Sequence, residues 1–331
     1  MPRTSGENPE QFEVLCLGET MVLLTPTSGR SLEQRPHLEM VPGGAESNVA
    51  CVLAQLGHRV SWLSRVGDDP FGRVIADTVT SYGVDTRGVE VDKARHTGVF
   101  FKDPAPGGST VYYYRQRSAA TEMGPEFFER TSPNPTQFVH LSGITPALSQ
   151  SCAALIERLL MRRSVAGPKV SFDINFRPAL WSRDTAAKVL LPLARAADVV
   201  FVGRDEAEEL WGTTTDDEVR ALLPDVDCLV VKDAGNAASC YEGTQCTHVT
   251  ALPMEVVEPV GAGDAFAAGF LSGMLTERPA RDRLRLGHVT AALTLRSTSD
   301  IATLPEVEVL ERACTANDAD WPYSVLAALS S

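Results

Sequence analysis

The sequence predicts an α/β fold: a mostly parallel central sheet with helices on both faces, plus a small projecting β flap. Three observations carry this. Short apolar stretches recur along the chain with helix-patterned stretches between them, the arrangement of strands buried on both faces. Two polar, β-rich stretches, Thr20 to Val41 and Thr97 to Arg117, break that alternation, as strands inserted between βα units would if they projected from the main sheet. The chain has 331 residues, 44% of them hydrophobic, ample for one sizeable core. With no internal repeat, low-complexity run or long linker, one domain with an excursion fits better than two independent domains.

Residues 1–12 are polar and read as a loose tail, and a domain follows over 13–312. It opens on a β signal, Val14-Leu15-Cys16-Leu17-Gly18-Glu19. Ala45 to Leu56 reads as a helix because Val49, Val52, Leu53 and Leu56 fall on one face and Gly57 follows its end. A strand at Val60 to Leu63 and a helix at Phe71 to Tyr82 come next. Further strands are expected at Phe138 to Leu141, Val170 to Asp173, Val199 to Val202 and Cys228 to Val231. Helices are expected at Ser151 to Ser164, Thr185 to Ala197 and Glu206 to Trp211. The flap strands lie within about 20–41 and 97–117, with Pro106-Gly107-Gly108 supplying a turn. Residues 313–331 form a C-terminal extension without a readable pattern.

Composition excludes several functions. Thirty Lys and Arg against 43 Asp and Glu give a net charge of −13, which argues against nucleic-acid or anionic-membrane partners. No run of 18 apolar residues exists and the opening MPRTSGENPEQFE lacks a hydrophobic signal segment, so a cytoplasmic protein is expected. Seven cysteines without a CxxC pair fit reduced thiols better than disulfides or zinc. None of the five lysines follows a glycine, which removes the GxxxxGK[ST] phosphate loop, and neither GxSxG nor HExxH occurs. A dinucleotide GxGxxG is approached only at Gly261-Ala262-Gly263, with Phe266 at the third glycine.

The strongest chemical signal is Glu258-Pro259-Val260-Gly261-Ala262-Gly263-Asp264, followed by the small-residue stretch Ala265-Phe266-Ala267-Ala268-Gly269. Glycines permit close backbone approach, and a helix N-terminus offers unpaired N–H groups to an anion. Asp264 in that first turn has the chemistry to take a proton from a hydroxyl while the amides hold a phosphoryl group. Taken alone, the same pattern equally describes an acid favouring a helix N-terminus beside a tight turn.

Together with Gly43-Gly44-Ala45-Glu46-Ser47-Asn48, and with Gly57 and Gly67 beyond the helix, this segment resembles the two signatures of the ribokinase-like (PfkB) carbohydrate kinases, over roughly residues 14–305. The resemblance implies a ribokinase-like fold whose lid is the β flap, with ATP and Mg²⁺ used in the reaction. It further implies Asp264 as catalytic base, Gly261, Ala262 and Gly263 as anion hole, and Gly43, Gly44 and Asn48 in the sugar site. Asp173-x-Asn175-x-Arg177, then Leu180-Trp181, is shared by the fructokinase-like and 2-keto-3-deoxygluconate kinase branches. The resemblance implies Asp173, Asn175 and Arg177 in the substrate site; at a strand end these three side chains would lie on one side, toward the ligand crevice, if the extended conformation persists, and a capped polar loop is the alternative. Tyr113, Arg115 and Arg117 would share one face of an extended strand, where Tyr and Arg can hydrogen-bond a sugar acid. Aromatic lid packing with solvated arginines is the alternative, and Tyr112-Tyr113-Tyr114-Arg115-Gln116-Arg117-Ser118-Ala119 is similar to the corresponding string of 2-keto-3-deoxygluconate kinases.

On the nucleotide side the resemblance is looser. The family's NxxE maps to Gly203-Arg204-Asp205-Glu206, which keeps Glu206 as an indirect metal and phosphate residue but replaces the Asn. KxGxxG appears as Lys232-Asp233-Ala234-Gly235-Asn236-Ala237, so Lys232 and a turn shifted through Gly235 are expected at ATP, along with Gly261 and Gly263. Glu258 stands where Asp is usual, which leaves a monovalent-cation requirement open. His140 is expected to be packed, and His248 has no recognisable partner. The late segment Thr298-Ser299-Asp300 corresponds to a nucleotide-side region in the family, yet gives no independent signal. The resulting expectation is an ATP-dependent kinase acting on the terminal hydroxyl of 2-keto-3-deoxygluconate, homo-oligomeric through its lid. The competing readings are a fructokinase or related sugar kinase and a non-catalytic sugar-acid sensor.

Overall fold

The computed structural model describes residues 11–105, 108–131, 137–161, 167–254, 256, 259–297, 299–315, 317, 321 and 325. Pro106 and Gly107 of the expected lid turn, Glu258 and Thr298 lie outside the described residues. In chain order the elements are β1 (Val14–Leu17), β2 (Met21–Pro26), β3 (Leu38–Gly43), α1 (Ala45–Gln55), β4 (Val60–Leu63), β5 (Arg65–Gly67), α2 (Pro70–Ser81) and β6 (Glu90–Asp92). There follow β7 (Val99–Ala105), β8 (Gly108–Tyr114), α3 (Pro125–Thr131), β9 (Phe138–Ser142), α4 (Gln150–Met161), β10 (Lys169–Asp173), α5 (Arg183–Arg195), β11 (Val199–Gly203), α6 (Arg204–Trp211) and α7 (Asp216–Leu222). The chain closes with β12 (Cys228–Asp233), β13 (Ala237–Glu242), β14 (Gln245–Thr250), α8 (Ala262–Leu275), α9 (Ala280–Leu295) and α10 (Val307–Cys314).

The main sheet runs β14-β13-β12-β11-β10-β9-β1-β4. From β12 to β4 all pairings are parallel, while β13 and β14 add an antiparallel edge hairpin. That hairpin has no counterpart among the strands expected from sequence. Period-2 alternation splits the apolar strand residues between two cores: Val14, Cys16, Val199 and Phe201 face one side, Leu15, Leu17, Val200 and Val202 the other. Residues of α1, α8, α9 and α10 cover the first face, and residues of α4 to α7 the second. Strands covered on both faces need apolar residues at every position, which is why they read as short continuous runs. Cys314, Trp321 and Val325 also lie in the first core. The Trp321 indole N–H donates to the Thr250 carbonyl at 2.9 Å, under the guanidinium of Arg285.

Strand β1 lies between β4, which follows it in this sheet, and β9, so the direction of winding reverses there. A crevice opens at the carboxyl ends of strands beside such a reversal. The register brings Ser142 and Asp173 level on β9 and β10, and Gly203 and Lys232 level on β11 and β12, at that same edge. A separate four-stranded sheet, β3-β2-β7-β8, contains the strands expected of the lid. Its β7 and β8 are held by aromatic contacts: Phe100 stacks on Tyr113 at 5.7 Å, and Phe101 meets Tyr114 edge-on at 5.6 Å.

Candidate active site

Gly261 caps α8 with φ +82°, and a Cβ there would sit 2.3 Å from the Asp300 carbonyl oxygen, so the turn admits only glycine. Ala262, Gly263 and Asp264 then form the first helical turn, where backbone N–H groups have no partner within the helix. Asn48, in α1, donates from Nδ2 to Asp264 Oδ2 at 2.9 Å, joining the two glycine-containing signatures across 216 residues. The helix carrying Asn48 is brought in close by its own glycines. A Cβ at Gly44 would lie 2.6 Å from the Glu19 carbonyl, and one at Gly43 would lie 3.0 Å from Asp300 Oδ2. Asp300 is buried beside both signatures, a position that sequence patterning did not give it. It sits in an irregular segment where no periodicity marks it.

Burial pushes the Asp264 carboxyl up to about 7; the Asn48 hydrogen bond opposes this, the Asp173 charge adds to it, and Arg177 and Lys232 pull it down. Lys232, at the end of β12, donates to Asp173 Oδ2 at 2.8 Å. A Cβ at Gly263 would come to 3.7 Å from Lys232 Nζ, which places the ammonium beside the first turn of α8. Burial works against the Lys232 charge, yet Asp173 and Glu206 together hold its pKa above the ordinary lysine value. Glu206 is raised by burial and by Asp173. Its two oxygens accept backbone N–H groups from Phe176 at 2.9 Å and Gly203 at 2.8 Å, tying the loop after β10 to the start of α6.

Four local expectations are corrected by backbone geometry and pairing. The extended conformation does not persist through Asp173-x-Asn175-x-Arg177: Asn175 adopts φ +41°, so Asp173 and Asn175 are buried while Arg177 emerges at the surface. Tyr113, Arg115 and Arg117 do not share a strand face, because β8 stops at Tyr114 and Arg117 takes φ +58° in a turn. The turn after β12 is not shifted onto Gly235; the left-handed position is Ala234 itself, at φ +42°. His248 does have a partner, since its Nδ1 lies 3.0 Å from Ser239 Oγ. His140 is packed as expected, with Nδ1 2.9 Å from Ser171 Oγ and burial lowering its pKa to about 4.

Arg115 meets a carboxylate of the protein's own. Its Nη2 pairs with Glu19, just beyond β1, and Glu19 also accepts from Ser118 Oγ at 2.6 Å. The guanidinium lies 5.9 Å from the centre of the Tyr113 ring. Several buried polar atoms in this region have no hydrogen-bond partner among the described residues: Arg115 Nε, Asn48 Oδ1, Asp173 Oδ1 and Asn175 Oδ1. Orphaned buried groups are costly, and a cluster of them fits a site completed by bound molecules. Among the described residues no group of three or more His, Cys, Asp or Glu forms a ready metal cage.

A model of the pfkB family of carbohydrate kinases matches residues 11–307. The chain is 31% identical over 306 residues to the 2-dehydro-3-deoxygluconokinase of Bacillus subtilis (strain 168), covering 91% of this chain and 94% of that one. It is also 31% identical to the 2-dehydro-3-deoxygalactonokinase of Haloferax volcanii, over 93% of this chain and 98% of that one. Among solved structures, the PfkB protein from Polaromonas sp. JS666 superposes with a TM-score of 0.81 at 30% identity, over 91% of this chain and 99% of that one.

Proposed function

The chain belongs to the pfkB family of carbohydrate kinases, and from that premise we propose that it phosphorylates the terminal hydroxyl of 2-keto-3-deoxygluconate with ATP, giving the 6-phosphate. The observation that carries this reading is the Asn48–Asp264 hydrogen bond, which places a carboxylate in the first turn of α8 against the sugar-side signature. Asp264 takes the hydroxyl proton as the oxygen attacks the γ-phosphorus and the bond to the departing ADP breaks. The amides of Gly261 at the cap and of Ala262 and Gly263 in the first turn stabilise the phosphoryl oxygens during transfer. Lys232, and the turn through Ala234 and Gly235, face the nucleotide phosphates. Asp173 and Glu206 are the nearby carboxylates that would hold Mg²⁺ through water, and the ion, when bound, would supply charge neutralisation on those phosphates. Tyr113, Arg115, Asn175 and Arg177 orient the sugar acid, and Gly43 and Gly44 let it approach the backbone. Lid closure excludes water from the transfer.

One observation favours a second reading. Because Glu19 already neutralises Arg115, the lid side of the site offers less net positive charge than the sequence implied, which suits a neutral ketose such as fructose. Coupled assays with 2-keto-3-deoxygluconate, its galactose epimer, fructose and ribose separate the readings. A kcat/KM highest for the keto-deoxy acid supports the first, and preference for fructose or ribose overturns it.

We further infer a homo-oligomer through the lid. Leu38, Met40, Tyr112 and Tyr114 are exposed on one face of its strands, an apolar surface a second copy would cover. Sedimentation as a monomer at micromolar concentration would refute it.

A further inference from the structure

We propose that Glu46 is a positioning residue of this kinase: it locks the first turn of α1 to the ends of β1 and β9, and so sets where Asn48 holds the Asp264 carboxylate, without touching either substrate. The inference rests on Asp264 as the catalytic base. Glu46 is fully buried, two residues before Asn48. Its Oε1 accepts from Ser142 Oγ at 2.7 Å, at the end of β9, and from Thr145 Oγ1 at 3.1 Å in the segment beyond. Its other edge lies on Gly18, just past β1, where a Cβ would fall 2.1 Å from Glu46 Oε2. The carboxyl thus occupies the space of the missing side chain at residue 18, and the two residues form one lock. Next to it, Thr20 Oγ1 donates to Ser47 Oγ at 2.7 Å and fastens the same turn to the chain leaving β1.

The expense of this arrangement argues for a role beyond filling space. An apolar side chain would fill the cavity without the cost of burying a carboxyl, and burial pushes Glu46 up to about 7, so it is largely uncharged below neutrality. Among titratable groups it faces the buried Cys16 thiol of β1. What the hydroxyl pair supplies is direction: two donors fix one oxygen, and with it the rotation of α1 about its own axis. A shift of about 1 Å at a catalytic group is sufficient to cost on the order of 100-fold in rate, and Asn48 is the group on α1 that reaches Asp264.

The test reads the base directly. The Asn48 N–H pulls the Asp264 carboxyl down against burial and the charge of Asp173, with Arg177 and Lys232 acting in the same sense as Asn48. Loosening Asn48 therefore moves the acidic limb of the kcat/KM profile to higher pH. Asn48→Ala should move it upward. Glu46→Ala should move it in the same direction and lower kcat about tenfold with KM for ATP unchanged, and Glu46→Gln, whose amide oxygen still accepts both hydroxyls, should restore both. Thr145→Val, which removes one of the two donors, should give a smaller shift and serves if Glu46→Ala does not fold. If Glu46→Ala and Thr145→Val lower only the melting temperature, with limb and kcat unmoved while Asn48→Ala shifts the limb, the positioning role is refuted alone. If Asn48→Ala leaves the limb in place, the base assignment falls and takes the inference with it.

Discussion

Replacing Asp264 by Asn changes two measurable properties with opposite signs. The substitution keeps shape but removes the proton acceptor, so kcat should fall by about 10²–10⁴, the range for a general base, while calorimetric affinity for the sugar is largely kept. Stability should move the other way. Asp264 is half-buried and its carboxyl rises from 3.8 to about 7 on folding. Between those values the native state keeps a proton that the unfolded chain has lost, so stability declines as pH rises through the window. Above pH 7 the full cost stands, and a rise of about three units corresponds to ~4 kcal/mol, an upper bound for a group not wholly enclosed. Asp264→Asn should therefore gain stability over the natural chain progressively from pH 4 to pH 8. Urea unfolding at pH 4.5 and pH 8, beside a coupled ADP-release assay, measures both effects. Turnover close to normal would dismiss the base, and a stability difference that does not widen with pH would dismiss the electrostatic argument.

Other substitutions probe separate links. Ala234 holds a left-handed backbone at φ +42°, so Ala234→Gly should stabilise by about 1 kcal/mol in urea titrations; a destabilised variant would contradict the assigned turn. Gly261→Ala should abolish turnover, since both φ and the Asp300 carbonyl forbid the methyl group. Gly57→Ala, at φ +89° with open space around it, should cost only about 1–2 kcal/mol and spare activity. Equal effects of the two would remove the argument from close approach. Arg115→Ala strands the buried Glu19 carboxylate and should cost about 3–5 kcal/mol, much of it recovered by adding Glu19→Gln. In the same variant kcat/KM should fall more for a keto-deoxy acid than for fructose, and equal losses would remove Arg115 from carboxylate recognition.

Much of this was legible before any coordinates. Strands β1, β4, β9, β10, β11 and β12 were readable because each is covered on both faces and so is apolar throughout. The hairpin β13–β14 was not, since small and polar residues such as Ala237, Ser239, Gln245 and Thr247 give an edge strand no apolar run. Gly261 to Asp264 and Gly43 to Asn48 were readable as motifs because close approach and helix N-termini restrict residue type locally. The burial of Asp300 and Glu19 was invisible, because nothing near them in the chain distinguishes them from surface acids. Period-2 reasoning failed at Asn175 and Arg117, where a single left-handed residue resets the direction of the chain.

What the sequence determined by itself is therefore local: where the buried parallel strands and several of the helices run, which turns demand glycine, and which carboxylate sits in the first turn of a helix behind two glycines, each set by neighbours within a few residues. Only the tertiary structure decided which groups meet. Asn48 reaches Asp264 across 216 residues, Glu19 compensates Arg115 across 96, and Glu46 finds Ser142 across the same span. The physical reason is that charge compensation and carboxyl pKa depend on burial and on distances of a few ångströms in space, which separation along the chain does not specify.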